Sequence, residues 1–301
     1  MEWIAFPALG WEFSLDPYLL RDFKIFGLTL NIKWYGLLIA IGFLLAIVYA
    51  FRRCKSFGIN PDRMIDVVLV STLIAFIGAR LYYVLFSSER DAYFADPITI
   101  LQVWKGGLGI YGGILFAFIS GVVMCRWRKV NTLAMFDLAS LGFLIGQGIG
   151  RWGNFFNQEA FGANTSLPWG MTGSIIRSGA NGVDYDPLSP VHPTFLYESL
   201  WCILGFVLLH ILSKRAYTFK GKIFAGYLIW YGFGRFWIES LRTDSLYIGA
   251  VRVSQLVAIL AVLGGVALII WQRARARQTP ADLFEQKDTP ADDVGDDPKE
   301  E

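Results

Sequence analysis

Seven stretches of this chain are apolar over roughly 20 residues each, and that length leaves few folds open. An α-helix rises about 1.5 Å per residue, so about 20 residues cross the ~30 Å hydrocarbon layer of a bilayer. The stretches are Trp34–Phe51, Ile65–Phe86, Gly106–Trp127, Thr132–Gly150, Thr194–Leu212, Ile223–Leu241 and Val253–Trp271. The second, fourth and sixth contain ionisable residues, so length and flanks define them as much as hydropathy does. Only 17% of residues are charged, against roughly a quarter in soluble domains. The expected fold is all-α: a polytopic membrane protein with seven transmembrane helices.

Lysine and arginine in the short loops orient such a bundle, because positive loops stay in the cytoplasm. Arg52, Arg53, Lys55 and Arg63 follow the first span, and Arg126, Arg128 and Lys129 follow the third. Lys214, Arg215, Lys220 and Lys222 lie between the fifth and sixth, and Arg273, Arg275 and Arg277 follow the seventh. The alternate loops are poorer in such clusters. The N-terminus is therefore expected outside and the C-terminus in the cytoplasm. Three parts follow: an outer N-terminal arm (1–31), a seven-span membrane domain (32–272) and a polar, acidic, disordered cytoplasmic tail (273–301). No basic segment precedes an apolar core at Met1-Glu2-Trp3, so no cleavable signal peptide is expected. A net charge of +2 implies no nucleic acid, and Cys54, Cys125 and Cys202 lack the spacing of a metal site. No metal and no cofactor are expected.

Charge inside hydrocarbon is costly and is usually retained for use. On this topology Tyr35, Arg80, Tyr111, Arg151, Asn154, Glu159, His192, Arg235, Glu239 and Arg242 all fall at one depth, on the outer side. End-of-helix anchoring by snorkelling is the plainer reading for Arg80 and Arg242. It suits Arg235 less, since that residue lies inside its span with Glu239 one helical turn away. A purely structural Arg235–Glu239 pair stays open. So does the reading of an anion path through a transporter or channel, although the polar groups do not continue into the cytoplasmic half and no repeats with broken helices stand out. No G-x-S-x-G or H-E-x-x-H motif points to a hydrolase.

Gly106-Gly107-Leu108-Gly109-Ile110-Tyr111-Gly112-Gly113 opens a membrane span rather than following a strand, so its formal G-x-G-x-x-G match is no dinucleotide site. Close helix packing through Gly109 and Gly113, or a backbone nest for a lipid headgroup, both fit. Gly142, Gly146 and Gly150 share a helix face and fit packing. The loop-like run Gly150-Arg151-Trp152-Gly153-Asn154-Phe155-Phe156-Asn157-Gln158-Glu159-Ala160-Phe161-Gly162 suits an anionic group, since arginine presents a forked, permanently charged donor set to phosphate oxygens.

That run resembles the signature Gly-Arg-x-Gly-Asn-(Phe)-x-Asn-x-Glu-x-x-Gly of the bacterial prolipoprotein diacylglyceryl transferases. Further similarities come in order along the chain: Ile32-Lys33-Trp34-Tyr35-Gly36, Gly78-Ala79-Arg80, the glycine-rich start of the third span, His192-Pro193-Thr194-Phe195-Leu196-Tyr197-Glu198, and Tyr231-Gly232 through Arg235, Glu239 and Arg242. One departure is Tyr111, where many members carry histidine between the glycines and others tyrosine. The resemblance implies an enzyme of the bacterial inner membrane with its active site toward the outer leaflet. Its partners would be phosphatidylglycerol and a preprolipoprotein signal peptide bearing a lipobox cysteine. The diacylglyceryl group would pass to that thiol, a thioether would form and glycerol 1-phosphate would leave. Catalytic roles are expected for Arg151, Arg235 and Tyr111. Substrate binding is expected for Arg151, Asn154, Tyr35, Arg80, Glu159, Gly162, Glu239, Arg242 and His192. Tyr111 would relay the thiol proton, or would only hydrogen-bond while phosphate or water takes it; an ordinary phenol, with a pKa near 10, is a weak base. His192 stays open between remote base and structural cap.

Overall fold

The computed structural model describes residues 2–25, 28–103, 106–179, 185–249, 251–274 and 283. The chain forms two compact units. The first joins Met1–Arg53 to Phe136–Arg277, and the second is built on Cys54–Met135.

Helices dominate both. The first unit holds α1 (Trp34–Arg53), α5 (Thr132–Asn157, whose first turn belongs to the second unit), the short α6 (Ser174–Ser178), α7 (Thr194–Arg215), α8 (Lys222–Leu241) and α9 (Val253–Arg273). The second holds α2 (Pro61–Phe86), α3 (Arg90–Ala95) and α4 (Ile110–Trp127). Six of these, α1, α2, α4, α5, α7 and α9, are long and apolar enough to cross a membrane. They carry large apolar side chains in the open, Leu44, Leu73, Ile119 and Leu260 among them, a surface suited to hydrocarbon. The protein is thus a polytopic membrane protein. Helix α8 is long enough at 20 residues but more polar, since Arg235, Glu239 and several Tyr, Trp and Gly residues interrupt its apolar sequence.

Several expected boundaries move by two to seven residues, among them the start of the second span, which is Pro61, and the end of the fifth, which is Arg215. The third span begins at Ile110, because residues 106–109 are not helical. The fourth does not stop at Gly150 but runs on to Asn157, so Arg151 and Asn154 sit on a helix. The fold is also not purely helical. Strands β1 (Glu2–Phe6), β2 (Trp11–Leu15) and β5 (Thr172–Gly173) form an antiparallel sheet in the order β2-β1-β5, with Glu2 opposite Leu15 and Ile4 opposite Gly173. Strands β3 (Tyr18–Ile25) and β4 (Leu28–Lys33) form a hairpin leading into α1, and β6 (Tyr247–Ile248) with β7 (Val251–Arg252) leads into α9. The expected N-terminal arm is therefore β-structure. Of the expected tail, Arg273 ends α9; apart from Ala274 and Leu283 the rest lies outside the described residues.

Packing in the first unit follows sequence pattern. Small residues line the α1–α5 contact, where Gly42 meets Gly146 and Ala46 meets Gly142, as the shared glycine face of the fourth span requires. Helices α7 and α8 are clasped by two stacked tryptophans: Trp201 Nε1 donates to the Trp230 carbonyl and Trp230 Nε1 to the Trp201 carbonyl, both at 3.0 Å, with ring centroids 4.2 Å apart. The start of α8 has only Gly221 as its own cap, so buried Asp137 of α5 supplies one: it accepts from Gly221 N–H and the Tyr217 hydroxyl at 2.6 Å and from Phe224 N–H at 2.7 Å. At the opposite end of α5, Phe155 packs with Ile4, Phe6, Phe161, Met171, Ile176, Val191 and Phe195 in an apolar cluster that seats β1 against α7.

Candidate functional site

Arg151 and Asn154 project from the last two turns of α5, and the chain then turns sharply through Glu159. Glu159 Oε1 accepts from Asn154 Nδ2 at 3.0 Å and from Asn157 Nδ2 at 3.1 Å, so both amides and the carboxylate form one polar group. Tyr35, in the first turn of α1, lies against Gly153, where a Cβ would fall 2.2 Å from its ring. This is why the helix can carry no side chain there.

The centre is a residue that spacing alone does not single out. Glu198, one turn into α7 and with a side chain only 9% exposed, holds Arg151 Nε on Oε2 at 2.8 Å and Arg235 Nη1 on Oε1 at 3.0 Å. Arg242 Nη1 stands 3.7 Å from the same Oε1. Arginines from α5 and α8, 84 residues apart, are therefore carried on the two oxygens of one carboxylate. Arg235 Nη2 also approaches Glu239 Oε2 at 2.6 Å across one helical turn, without the alignment of a hydrogen bond, and reaches Ser254 Oγ at 3.4 Å. Arg242 makes a forked pair with Asp244, Nε to Oδ1 at 2.9 Å and Nη2 to Oδ2 at 2.8 Å. Arg151 commits only Nε: among the described residues, no hydrogen bond engages its Nη1 or Nη2. A forked pair of N–H groups is left over, the donor set that fits a phosphate oxygen pair.

Gly162 and His192 frame this cluster. Gly162 N–H donates to the His192 carbonyl at 2.9 Å, Ala163 N–H to Leu241 O at 2.7 Å, and Gly162 pairs with Arg242 in an antiparallel bridge. A Cβ on Gly162 would fall 2.8 Å from His192 Cβ and 2.9 Å from Leu241 O, so only glycine lets the loop after α5 lie between the start of α7 and the end of α8. The Tyr197 hydroxyl accepts from Trp169 Nε1 at 2.7 Å and shares a hydrogen bond with His192 Nδ1 at 3.1 Å. Burial pushes the His192 imidazole below its usual range, favouring the neutral ring. Among the described residues no group of three His, Cys, Asp or Glu side chains is placed to hold a metal ion.

Arg80 and Tyr111 belong to the second unit. Arg80 is buried, and its guanidinium is spent on main-chain carbonyls: Nε on Ile100, Nη1 on Gly106 and Gly107, and Nη2 on Thr99, all between 2.7 and 2.8 Å. The Tyr93 ring lies 5.1 Å from its charge. Gly106 and Gly107 take φ of +93° and +79°, a region that favours glycine, and this turns their carbonyls onto Arg80. Gly109 N–H then docks on Ala79 O at 2.9 Å, and Gly113 packs on Ala79. The glycine run thus serves close packing of α4 on α2 and a carbonyl nest around a cation. Tyr111 stands in the first turn of α4 with its ring centroid 6.3 Å from that of Tyr82.

Comparison with known proteins agrees with this picture. The family model for prolipoprotein diacylglyceryl transferase matches residues 23–271. The phosphatidylglycerol–prolipoprotein diacylglyceryl transferase of Finegoldia magna (strain ATCC 29328 / DSM 20472 / WAL 2508) is 44% identical over 248 residues, 82% of this chain and 93% of its own. That of Clostridium novyi (strain NT) is 42% identical over 257 residues, 85% of this chain and 97% of its own. That of Staphylococcus haemolyticus (strain JCSC1435) is 40% identical over 252 residues, 82% of this chain and 86% of its own.

Proposed function

Since the chain belongs to the prolipoprotein diacylglyceryl transferase family, we propose that it transfers the diacylglyceryl group of phosphatidylglycerol to the lipobox cysteine of a preprolipoprotein. In this reading all seven long helices cross the bacterial inner membrane, α8 included. The N-terminus lies outside, and the Glu198 cluster faces the outer leaflet. The basic residues that follow α1, α4, α7 and α9 support that orientation.

The reaction breaks the bond between the glyceryl carbon and the phosphate oxygen and forms a carbon–sulfur bond. The cysteine loses its proton, because the thiolate is the nucleophile. Glycerol 1-phosphate departs with the electron pair of the broken bond. Negative charge therefore grows on a phosphate oxygen in the transition state, and fixed cations aimed at it lower the barrier most in a site poor in water. Arg151 binds the phosphodiester through its free Nη groups. Arg235, held from two sides by Glu198 and Glu239, stabilises the leaving oxygen. Asn154 and Glu159, joined as one polar group, orient the glycerol headgroup. Arg242 and Gly162 close the wall beside it, and Tyr35 covers the end of α5. Tyr111 relays the thiol proton, an assignment resting on its place in the glycine motif of α4. Arg80 acts through the loop it holds.

The observation that carries the reading is the joint seating of Arg151 and Arg235 on Glu198 with the amidine end of Arg151 unspent. The test uses detergent-purified protein, phosphatidylglycerol and a lipobox peptide, following release of glycerol phosphate and gain of lipid mass on the peptide. Arg151→Ala and Arg235→Ala should each lose nearly all turnover. Near-normal turnover in either variant would remove that arginine from the mechanism, and absence of peptide lipidation by the unaltered protein would remove the function.

A further inference from the structure

Helix α5 ends in a turn whose chemistry is unusual. Gln158 N–H donates to Phe155 O and Glu159 N–H to Asn154 O, both at 3.1 Å. This is the paired closure of a Schellman cap, which calls for a left-handed residue at the position of Gln158 and usually finds glycine there. Gln158 takes φ of 47°, and Ala160, two residues on, takes φ of 56°. Two residues with a Cβ thus hold left-handed conformations on either side of Glu159, and each is disfavoured without support from its surroundings.

The support for Gln158 is its own side chain. It is 1% exposed although it ends in an amide. Its Oε1 accepts from Ile175 N–H at 2.9 Å, and its Nε2 reaches Trp3 O and Ser174 Oγ, both at 3.3 Å. Trp3 is in β1, and Ser174 and Ile175 open α6 directly after β5. Space is kept for the amide: a Cβ on Gly173 would fall 2.2 Å from Oε1. A buried amide that satisfies three partners on two other elements costs far more to misplace than a surface one.

From this we infer that Gln158 is a positioning residue of the proposed reaction: its buried amide ties the N-terminal sheet and α6 to the end of α5, and so fixes the direction in which Glu159, with Asn154 and Asn157 bonded to it, meets the lipid headgroup. The inference rests on the reading of Asn154 and Glu159 as headgroup ligands. It extends the functional machinery to β1, a strand more than 150 residues away in sequence.

Two variants separate the amide from the backbone strain. Gln158→Gly removes the amide but suits the left-handed turn, so it folds; Gln158→Ala removes the amide and keeps the unfavourable conformation. Both are made in the full chain. Hydrogen exchange of the amides of residues 158–163 is measured alongside KM and kcat for phosphatidylglycerol and KM for the lipobox peptide. In Gln158→Gly, exchange in that segment should accelerate at least tenfold relative to α7 and α8. KM for phosphatidylglycerol should rise roughly tenfold, the scale expected when binding groups shift by less than 1 Å, while KM for the peptide stays within twofold. Unchanged exchange would overturn the inference. So would a loss confined to the fraction of folded enzyme, with both KM values unmoved, since that describes a structural residue only. If the unaltered protein releases no glycerol phosphate, the functional reading fails on that result, and the exchange measurement still decides whether Gln158 holds the turn.

Discussion

Replacing Glu198 by glutamine keeps shape and removes one charge at the point where the arginines meet. The ion-paired set comprises Arg151, Arg235 and Arg242 against Glu198, Glu239 and Asp244, three positive and three negative, so its net charge is zero. In Glu198→Gln it becomes +1. Three contacts then lose their ionic partner, the 3.7 Å approach of Arg242 and the two short ones at 2.8 and 3.0 Å that carry most of the attraction. At an effective dielectric constant near 20, each of the two short contacts is worth about 5–6 kcal/mol of attraction before desolvation is subtracted. Breaking a buried pair by removing one charged partner costs about 3–5 kcal/mol in practice. The amide still offers one oxygen, so the lower end, about 3 kcal/mol, is the working figure. If that energy aligns the arginines in the transition state, kcat falls by about two decades at roughly 1.4 kcal/mol per decade. The ground state behaves differently. An anionic lipid meets an extra positive charge, so KM for phosphatidylglycerol falls or stays level. Steady-state release of glycerol phosphate over a range of phosphatidylglycerol in mixed micelles, normalised to folded enzyme, gives both constants. A threefold or smaller loss of kcat, or a raised KM with kcat intact, would show that Glu198 does not set the arginines for the chemical step.

Other consequences are simpler to read. Arg80→Lys leaves one ammonium where a planar fork met four carbonyls. The loss should be about 2–4 kcal/mol of stability, seen as a lower melting temperature in detergent and faster exchange in residues 99–103 and 106–107. Asp137→Ala strips the borrowed cap from α8 and leaves Gly221 and Phe224 N–H groups buried without an acceptor; about 3 kcal/mol or more of destabilisation is expected, measurable by thermal unfolding. His192 supplies a pH dependence. Its folded pKa is lowered from 6.5 by burial, so the unfolded chain binds the proton more readily. Stability associated with this ring is present above pH 6.5 and is lost as pH falls through the folded value. Melting temperature should therefore decline from pH 7 to pH 5, and His192→Gln should flatten the slope; an unchanged slope would exclude the ring as its source.

How much of this was legible in sequence depends on how far apart the partners lie. A membrane helix satisfies its own backbone, so its existence needs only a local apolar run, and six of the expected spans meet the length and apolarity that crossing requires. The end of α5 was harder to read. Two glycines and several polar residues look like a loop, but Gly153 is there because Tyr35 lies on it, and Arg151 is tolerated on the helix because Glu198 meets it from α7. Both partners are remote in sequence. The N-terminal sheet is remote only in part: β1 pairs locally with β2, and its other edge is completed by the two residues of β5, far too short a run to signal a strand.

The same distance rule separates the site residues. Arg151, Asn154, Glu159, Arg235 and Glu239 stand out because ionisable and amide groups are rare at a membrane-helix end, and rarity can be read locally. Glu198 is equally rare, but the sequence shows it only as the last residue of the His192–Glu198 motif, and contact with two other helices is what makes it the centre. Arg80 errs the other way. Sequence marks it as a cation at the depth of the site, but the positive-φ glycines 26 and 27 residues later turn their carbonyls onto it and consume the donors a phosphate would need. A guanidinium is available to an anion only when its neighbours leave N–H groups unpaired, so the deciding quantity is unspent donors, not charge. By that measure Arg151 keeps donors that Arg80 has spent, and Arg235 is bonded to Glu198 and Ser254 and in contact with Glu239; the proposed mechanism assigns the phosphodiester to the first and the leaving oxygen to the second on that ground.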